Sequence, residues 1–197
     1  MIAAIDNTFL TLLLNPKATP RPNPATGEPT EHCRLRIEGM VDDLSKNDGT
    51  LIVPAPALAE ALCMAEAAEA YMERLQEFAA IEVAPFDMRA AYELGRVVRA
   101  AIANGDKRSG ETGDWQHVKM DRAIVAIAAA QSVEVFYSDD DRQTRFAESA
   151  GLRVVHTWEL SLPHDKAQKT MMEGNEAEWP KHPRPPKSTS SVKPPDG

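Results

Sequence analysis

Four acidic residues, far apart in the chain, occupy positions from which their carboxylates can meet: Asp6, Glu60, Asp121 and Asp140. Asp6 and Asp140 come directly after short apolar runs, whereas Glu60 and Asp121 lie in the opening turns of predicted helices. Groups that follow the strands of an open parallel sheet collect at one edge, where ligands bind. Asp121 reaches this edge only if its helix runs back across it. We therefore expect the four carboxylates to share one pocket.

Such a pocket would need a cation, because crowded carboxylates raise one another's pKa and cannot all stay ionised alone. Oxygen ligands without a Cys or His cluster favour Mg²⁺ or Mn²⁺ over zinc. One or two such ions can activate water and stabilise a leaving oxygen, which predicts phosphodiester hydrolysis. The last acidic position is a run of three, Asp139 to Asp141, of which Asp140 is favoured because it lies two residues past Ser138, with Asp141 next.

Each acid also has a simpler explanation. An Asp after a strand is commonly a helix N-cap, which would account for Asp6 and for Asp121, as it does for Asp87. Glu60 in a first turn is favoured by the helix dipole, and the three consecutive Asp residues can form a solvated turn. The ordered set of four, rather than any single acid, favours a site.

Composition sets broad limits. The chain has 197 residues, of which 43% are hydrophobic, which suits one domain with a buried core. A net charge of -8 argues at first against a nucleic-acid partner, because Lys and Arg drive phosphate binding. A carboxylate-rich metal site produces the same balance when empty, however, and bound cations reverse the local sign.

Cysteine content and hydropathy bear on location. The two cysteines have no partner at zinc-ligand spacing apart from His32 beside Cys33, which predicts a reduced, cytoplasmic protein. No apolar run approaches the roughly 18 residues that cross a bilayer, and the first residues lack the features of a signal peptide. We expect no membrane association.

Short apolar runs alternate with helical patterns along the chain. Strands are predicted at residues 2–5, 51–53, 81–83, 133–137 and 152–155. Helices are predicted near residues 8–14, 35–44, 57–78 in two pieces, 88–104, 118–130 and 141–150. The alternation predicts an α/β fold with a mainly parallel five-stranded sheet and helices on both faces.

The predicted domain covers residues 1–160. Residues 15–31 are rich in proline and are expected to form an exposed insertion without regular structure. Residues 161–197 are expected to form a C-terminal extension that is largely disordered from about residue 180.

Four segments resemble the PIN-domain ribonucleases, including the VapC-like toxins of type II toxin–antitoxin pairs. They are IDNTFL at 5–10, VPAPALAE at 53–60, KMDRAIVA at 119–126, and YSDDD at 137–141 leading to GLRVV at 151–155. The similarity spans about residues 1–157. It departs from the family where Asn7 and Thr8 are exchanged relative to the common Asp-Thr-Asn, and where the insertion lengthens the span to Glu60.

The resemblance implies a three-layer α/β/α PIN-like fold and a Mg²⁺- or Mn²⁺-dependent endoribonuclease that hydrolyses RNA phosphodiester bonds. It assigns catalysis and metal binding to Asp6, Glu60, Asp121 and Asp140, with Asp141 as a further metal ligand. Contacts to substrate are expected from Thr8, Ser138 and Lys119, while Arg122 and Arg142 also flank the acids. A toxin of this kind would have an antitoxin protein as partner.

Other interpretations stay open. The same fold can serve as a catalytically weak PIN-like module that binds RNA or protein. A phosphotransfer receiver domain would also use clustered acids for Mg²⁺, but the early position of Asp6 fits that order poorly. Helices at 57–78 can pair in a homodimer, although packing within one core explains their Ala-rich composition more simply.

Overall fold

The computed structural model of the protein describes residues 1–108, 110 and 115–163. The extension predicted from residue 161 therefore lies, after residue 163, outside the described residues. The same holds for residues 109 and 111–114, before Trp115.

The sheet consists of five short strands, β1 (Ile2–Ile5), β2 (Thr50–Pro54), β3 (Ile81–Ala84), β4 (Val135–Tyr137) and β5 (Arg153–Val155). All of their pairings are parallel, and their order across the sheet is β3-β2-β1-β4-β5. On one side of β1 the sheet is extended by β2 and then β3, and on the other side it is extended by β4 and then β5. Strand order reverses between β1 and β4, and ligands of parallel sheets bind at such a point.

The helices of the described residues lie where the sequence predicted them, with small differences in their bounds. They are α1 (Asn7–Leu14), α2 (Cys33–Lys46), α3 (Ala55–Cys63), α4 (Ala68–Gln76), α5 (Met88–Ala103), α6 (Trp115–Ala130) and α7 (Asp141–Ser149), followed by a 3-10 turn at Thr157–Glu159. The predicted helix at 57–78 is two helices, as expected from the interruption around residues 64–67.

Two apolar cores cover the two faces of the sheet. On β1, Ala3 and Ile5 pack into the core lined by α1 to α4, whereas Ala4 packs into the core lined by α5 to α7. The central strands are buried on both faces, which explains why they read as continuous apolar runs. The predicted α/β fold with a parallel five-stranded sheet and helices on both faces is confirmed.

Several acids begin helices. Asp6, Asp87 and Asp140 are the N-caps of α1, α5 and α7, and each accepts a hydrogen bond from a first-turn amide. The cap interpretation is wrong for Asp121, because α6 begins at Trp115 and Asp121 lies in its second turn. Two of the four candidate acids therefore have a capping role in addition to any chemistry.

The proline-rich insertion follows α1, which ends at the C-cap Asn15. Pro22 and Pro29 form an isolated antiparallel bridge, and the amide of Asn23 donates to the carbonyl of Glu28 at 2.8 Å. The insertion has no helix or strand of its own, as expected, but it folds back as a closed turn. No helix in the described ranges is long and apolar enough to cross a membrane.

Candidate functional site

A cleft of about 470 Å³ lies beyond the carboxyl ends of the central strands. Asp6 reaches it from the end of β1, Glu60 from α3, Asp121 from α6 and Asp140 from the end of β4. The convergence expected from the sequence is thus what the structure shows. The role of these acids as catalytic metal ligands stays a prediction.

Asp6 lies at the floor of the cleft and is 1% exposed. Its Oδ1 accepts hydrogen bonds from Thr8 Oγ1 at 2.6 Å and from the amide of Phe9 at 3.0 Å. Its Oδ2 accepts from Ser138 Oγ at 2.6 Å. Burial raises the pKa of Asp6 to about 6, although the hydrogen bonds from Ser138 and Thr8 oppose that rise. A neighbouring cation would favour the ionised form that these donors already orient.

Asp121 is held by two residues of α7. Its Oδ1 accepts from Gln143 Nε2 at 3.1 Å, and its Oδ2 lies 2.6 Å from Arg142 Nε, an ion pair without hydrogen-bond geometry. Burial raises the pKa of Asp121, while the charge of Arg142 opposes the rise. Among the described residues, Asp121 Oδ2 and Gln143 Oε1 are buried oxygens without a hydrogen-bond donor. Such oxygens are costly to bury and can accept a cation.

Asp140 has both carboxylate oxygens engaged. Oδ1 accepts from the amides of Arg142 and Gln143 at 2.9 and 3.0 Å, which caps α7. Oδ2 accepts from Arg21 Nη2 of the proline-rich insertion at 2.8 Å. Glu60 faces the same cleft half-buried, and its pKa is raised first by burial and then by the charge of Asp121.

The structure separates the three consecutive Asp residues. Asp139 is buried, and its two oxygens accept from the amide and hydroxyl of Thr157 at 2.9 and 2.7 Å, so it anchors the 3-10 turn. Asp141 does not line the cleft, and its side chain is 88% exposed. Asp140 is thus the member of the run that faces the cleft, because the first turn of α7 directs its neighbour to solvent.

The residues expected to contact substrate lie at different depths. Thr8 lines the cleft, whereas Ser138 is fully buried beneath Asp6 and therefore orients that carboxylate. Lys119 is exposed and is not among the cleft-lining residues. Arg122, which flanks Asp121 in the sequence, is buried with its guanidinium 5.1 Å from the ring centre of Phe146 and does not line the cleft.

Two residues near the acids were not among the predicted site residues. His117, which the sequence indicated to be structural or exposed, lines the cleft one helical turn before Asp121, and its charge opposes the burial that raises the pKa of Asp121 and of Glu60. Its spacing of four residues from Asp121 on one helix is a signal that could have identified it. Arg21 has no such signal, because 119 residues separate it from its partner Asp140.

The donor set fits a hard divalent cation in its chemistry, since its acids offer oxygen ligands. Within the described ranges, no three acidic, His or Cys side chains stand close enough to hold an ion as they are. Arg142 and Arg21 pair with Asp121 and Asp140. An incoming cation would therefore replace these two arginines at the carboxylate oxygens.

No family model matches the sequence, and no curated protein matches it. Solved structures do match. One match is a chain of VapBC2 from Rickettsia felis, in a structure with a DNA fragment from the VapBC2 promoter. The TM-score is 0.53 and the identity 15%, over 79% of this chain and 98% of that chain.

Two further matches have a TM-score of 0.49 and cover 80% of this chain and 98% of the other. They are VapBC-1 from nontypeable Haemophilus influenzae at 10% identity and DNA-bound VapBC from Salmonella typhimurium at 15%. The VapBC2 similarity, together with the all-parallel sheet, shows the fold. The chain thus has the PIN-like α/β/α fold that its sequence predicted.

Proposed function

We propose that the protein is a divalent-metal-dependent endoribonuclease that hydrolyses RNA phosphodiester bonds. The observation that carries the proposal is the convergence of Asp6, Glu60, Asp121 and Asp140 in one cleft at the strand-order reversal. The fold shared with a chain of a VapBC complex supports a role as the toxin of a toxin–antitoxin pair. An antitoxin protein is then the expected partner.

The four acids would hold Mg²⁺ or Mn²⁺. When bound, the ion supplies Lewis acidity towards a phosphodiester and water. Support comes from the oxygen ligands and from the raised pKa values of Asp6, Glu60 and Asp121. Carboxylates that are costly to ionise alone are those that a cation stabilises most.

The chain's own residues fix the geometry before substrate arrives. Thr8 and Ser138 hold the two oxygens of Asp6, and Gln143 orients Asp121. The amides at the start of α7 hold Asp140. Groups positioned in advance lower the cost of reaching the reactive arrangement. The attacking group is water, and no side chain acts as a nucleophile.

The proposal is tested by cleavage of a labelled single-stranded RNA by purified protein, with Mn²⁺ and with EDTA. We expect cleavage with Mn²⁺ alone, and a loss on the order of 100-fold in Asp6→Asn. Asp87→Asn is the matched control, because Asp87 also caps a helix through a backbone amide at 2.9 Å but does not line the cleft. Cleavage that persists in EDTA, or its absence in every condition, would contradict the nuclease function.

A binding module is the second candidate, favoured by the two arginines that pair with Asp121 and Asp140. Such a module would hold RNA or a protein partner without metal. Calorimetric titration with Mn²⁺ separates the two functions. Heat of binding that is lost in Asp6→Asn supports the enzyme, whereas no binding by the unmodified protein supports the module.

A further inference from the structure

The proline-rich insertion carries an arginine to the rim of the acidic cleft. Arg21 Nη2 lies 2.8 Å from Asp140 Oδ2, and Arg21 Nη1 lies 3.7 Å from Asp141 Oδ2. The guanidinium thus touches a cleft acid that is distant in sequence. Neither the fold similarity nor the four acidic motifs account for this contact.

The backbone of the insertion holds Arg21 at the base of a closed turn. The next residue, Pro22, forms the antiparallel bridge with Pro29, and the amide of Gly27 donates to the carbonyl of Asn23 at 2.8 Å. At the start of the insertion, Lys17 Nζ pairs with Glu66 of the α3–α4 connection at 2.9 Å. Prolines restrict the backbone of such a turn, so the position of Arg21 is set by the segment.

We propose that Arg21 is a phosphate-binding residue, which holds a phosphate of single-stranded RNA at the rim of the cleft once a divalent ion occupies Asp140. The inference rests on the proposed nuclease function and adds a substrate contact to it. In this arrangement the ion replaces the Arg21 guanidinium at Asp140. The guanidinium is then free to bind a phosphate of the RNA.

The exposure of the Arg21–Asp140 ion pair argues against a role in which Arg21 permanently blocks the metal site. The side chains of Arg21 and Asp140 are 48% and 19% exposed, and ion pairs at a protein surface shift an equilibrium by about fivefold at most. A divalent ion can therefore displace Arg21 at little cost. A guanidinium has five donors in a planar fork that matches phosphate, and Arg21 uses only part of this capacity on Asp140 and Asp141.

The electrostatics of the cleft explain why a phosphate needs such a residue. The chain has a net charge of -8, and four acids line the cleft. Arg142 also lines it, but its side chain is less exposed than that of Arg21, at 30% against 48%. A cation on the rim offsets the repulsion that an approaching phosphodiester meets from the acids.

The test measures binding and cleavage by Arg21→Ala and Arg21→Lys. Arg96→Ala is the matched control, because Arg96 is also a half-exposed arginine, which pairs with Glu93 at 3.0 Å on α5. Binding of a fluorescein-labelled single-stranded RNA is followed by anisotropy with Ca²⁺, with the RNA checked for integrity on gels. Mn²⁺ affinity, KM and kcat are measured in parallel, and thermal unfolding checks that each variant is folded.

We expect Arg21→Ala to weaken RNA binding roughly tenfold and to raise KM by a similar factor, the size of one charge-assisted contact. The slope of log affinity against log salt should fall by about 0.7, the value for one phosphate contact on a single strand. Mn²⁺ affinity should stay equal or rise by up to about fivefold, since a competing ion pair is removed. Arg21→Lys should be intermediate, and Arg96→Ala should resemble the unmodified protein.

Equal RNA binding by Arg21→Ala and Arg96→Ala would overturn the inference and leave the nuclease proposal standing. Tighter Mn²⁺ binding with faster cleavage and unchanged KM in Arg21→Ala would also overturn it. Arg21 would then block the metal site and would not bind RNA. Conversely, RNA binding that depends on Arg21 in a protein that cleaves nothing would support the phosphate contact and end the nuclease proposal.

Discussion

At the scale of single residues, neighbouring acids serve different purposes. Asp140 faces the cleft and caps α7, whereas Asp139 turns inward to Thr157 and Asp141 turns to solvent. Three identical side chains in a row thus take three roles, decided by which hydrogen-bond donors surround each. The acid that faces the cleft is also the one whose second oxygen meets the Arg21 guanidinium rather than a backbone amide.

The difference between Asp139 and Asp141 is testable through stability. Asp139→Ala should lower the free energy of unfolding by about 2 to 4 kcal/mol, because the buried amide and hydroxyl of Thr157 lose their acceptors. Asp141→Ala should change it by less than about 1 kcal/mol, since its side chain is exposed. Urea unfolding measures both. Equal losses in the two variants would show that Asp139 does not anchor the turn.

At the scale of elements, α6 links the site to the core. Val118 and Ile124 pack beneath the sheet while Asp121 reaches the cleft from the same helix. The sequence predicted that this helix starts at Val118, but it starts three residues earlier, at Trp115. The ring centre of Trp115 lies 4.3 Å from Lys107 Nζ. The earlier start places His117 on the helix, one turn from Asp121, and so adds a residue to the cleft.

Packing between elements also predicts opposite effects for two helical glycines. A Cβ at Gly39 of α2 would overlap the ring of Pro163, whereas a Cβ at Gly95 of α5 would meet nothing within 4 Å. Gly39→Ala should destabilise the protein by about 1 to 2 kcal/mol, because overpacking exceeds the gain in helix propensity.

Gly95→Ala should stabilise the protein by about 0.5 to 1 kcal/mol, because alanine has a higher helix propensity than glycine and its Cβ would overlap no neighbour here. Urea unfolding of the two variants gives the comparison directly. Changes of the same sign would mean that α2 does not pack against Pro163 as described.

At the scale of the whole molecule, the cleft makes folding depend on pH. Burial raises the pKa of Asp6, Asp121, Glu60 and Asp139. A carboxyl group with a raised pKa keeps its proton in the folded state after the unfolded chain has released it. Stability is therefore lost as pH rises through that window and is regained as pH falls. A bound cation would offset this loss at neutral pH.

For Asp6 the window runs from the ordinary aspartate pKa of 3.8 to its raised pKa of about 6. Between pH 7.5 and pH 4.5, the metal-free protein should gain about 2 kcal/mol of unfolding free energy that Asp6→Asn lacks. Urea unfolding in EDTA at the two pH values measures the difference, and Asp87→Asn controls for loss of a capping carboxylate. An identical pH dependence in Asp6→Asn and the unmodified protein would show that Asp6 titrates normally.

Features that depend on neighbours along the chain could be predicted without coordinates. The apolar runs, the helix between Met88 and Ala103 and the cap at Asp87 follow from residues within one or two turns of each other. Asp6 and Asp140 were identifiable because Asp6 directly follows β1 and Asp140 lies three residues past the end of β4. The parallel sheet followed from the alternation of strands and helices.

Contacts between side chains that are distant in the sequence depend on how the elements pack. The contacts from Ser138 to Asp6 and from Arg21 to Asp140 span 132 and 119 residues. They depend on β1 lying beside β4 and on how the proline-rich insertion folds back over the strand ends. An alternating pattern of strands and helices is compatible with several strand orders. The distant partners of Asp6 and Asp140 therefore follow from the packing of the sheet and the insertion, whereas their capping contacts in the first turns of α1 and α7 are local.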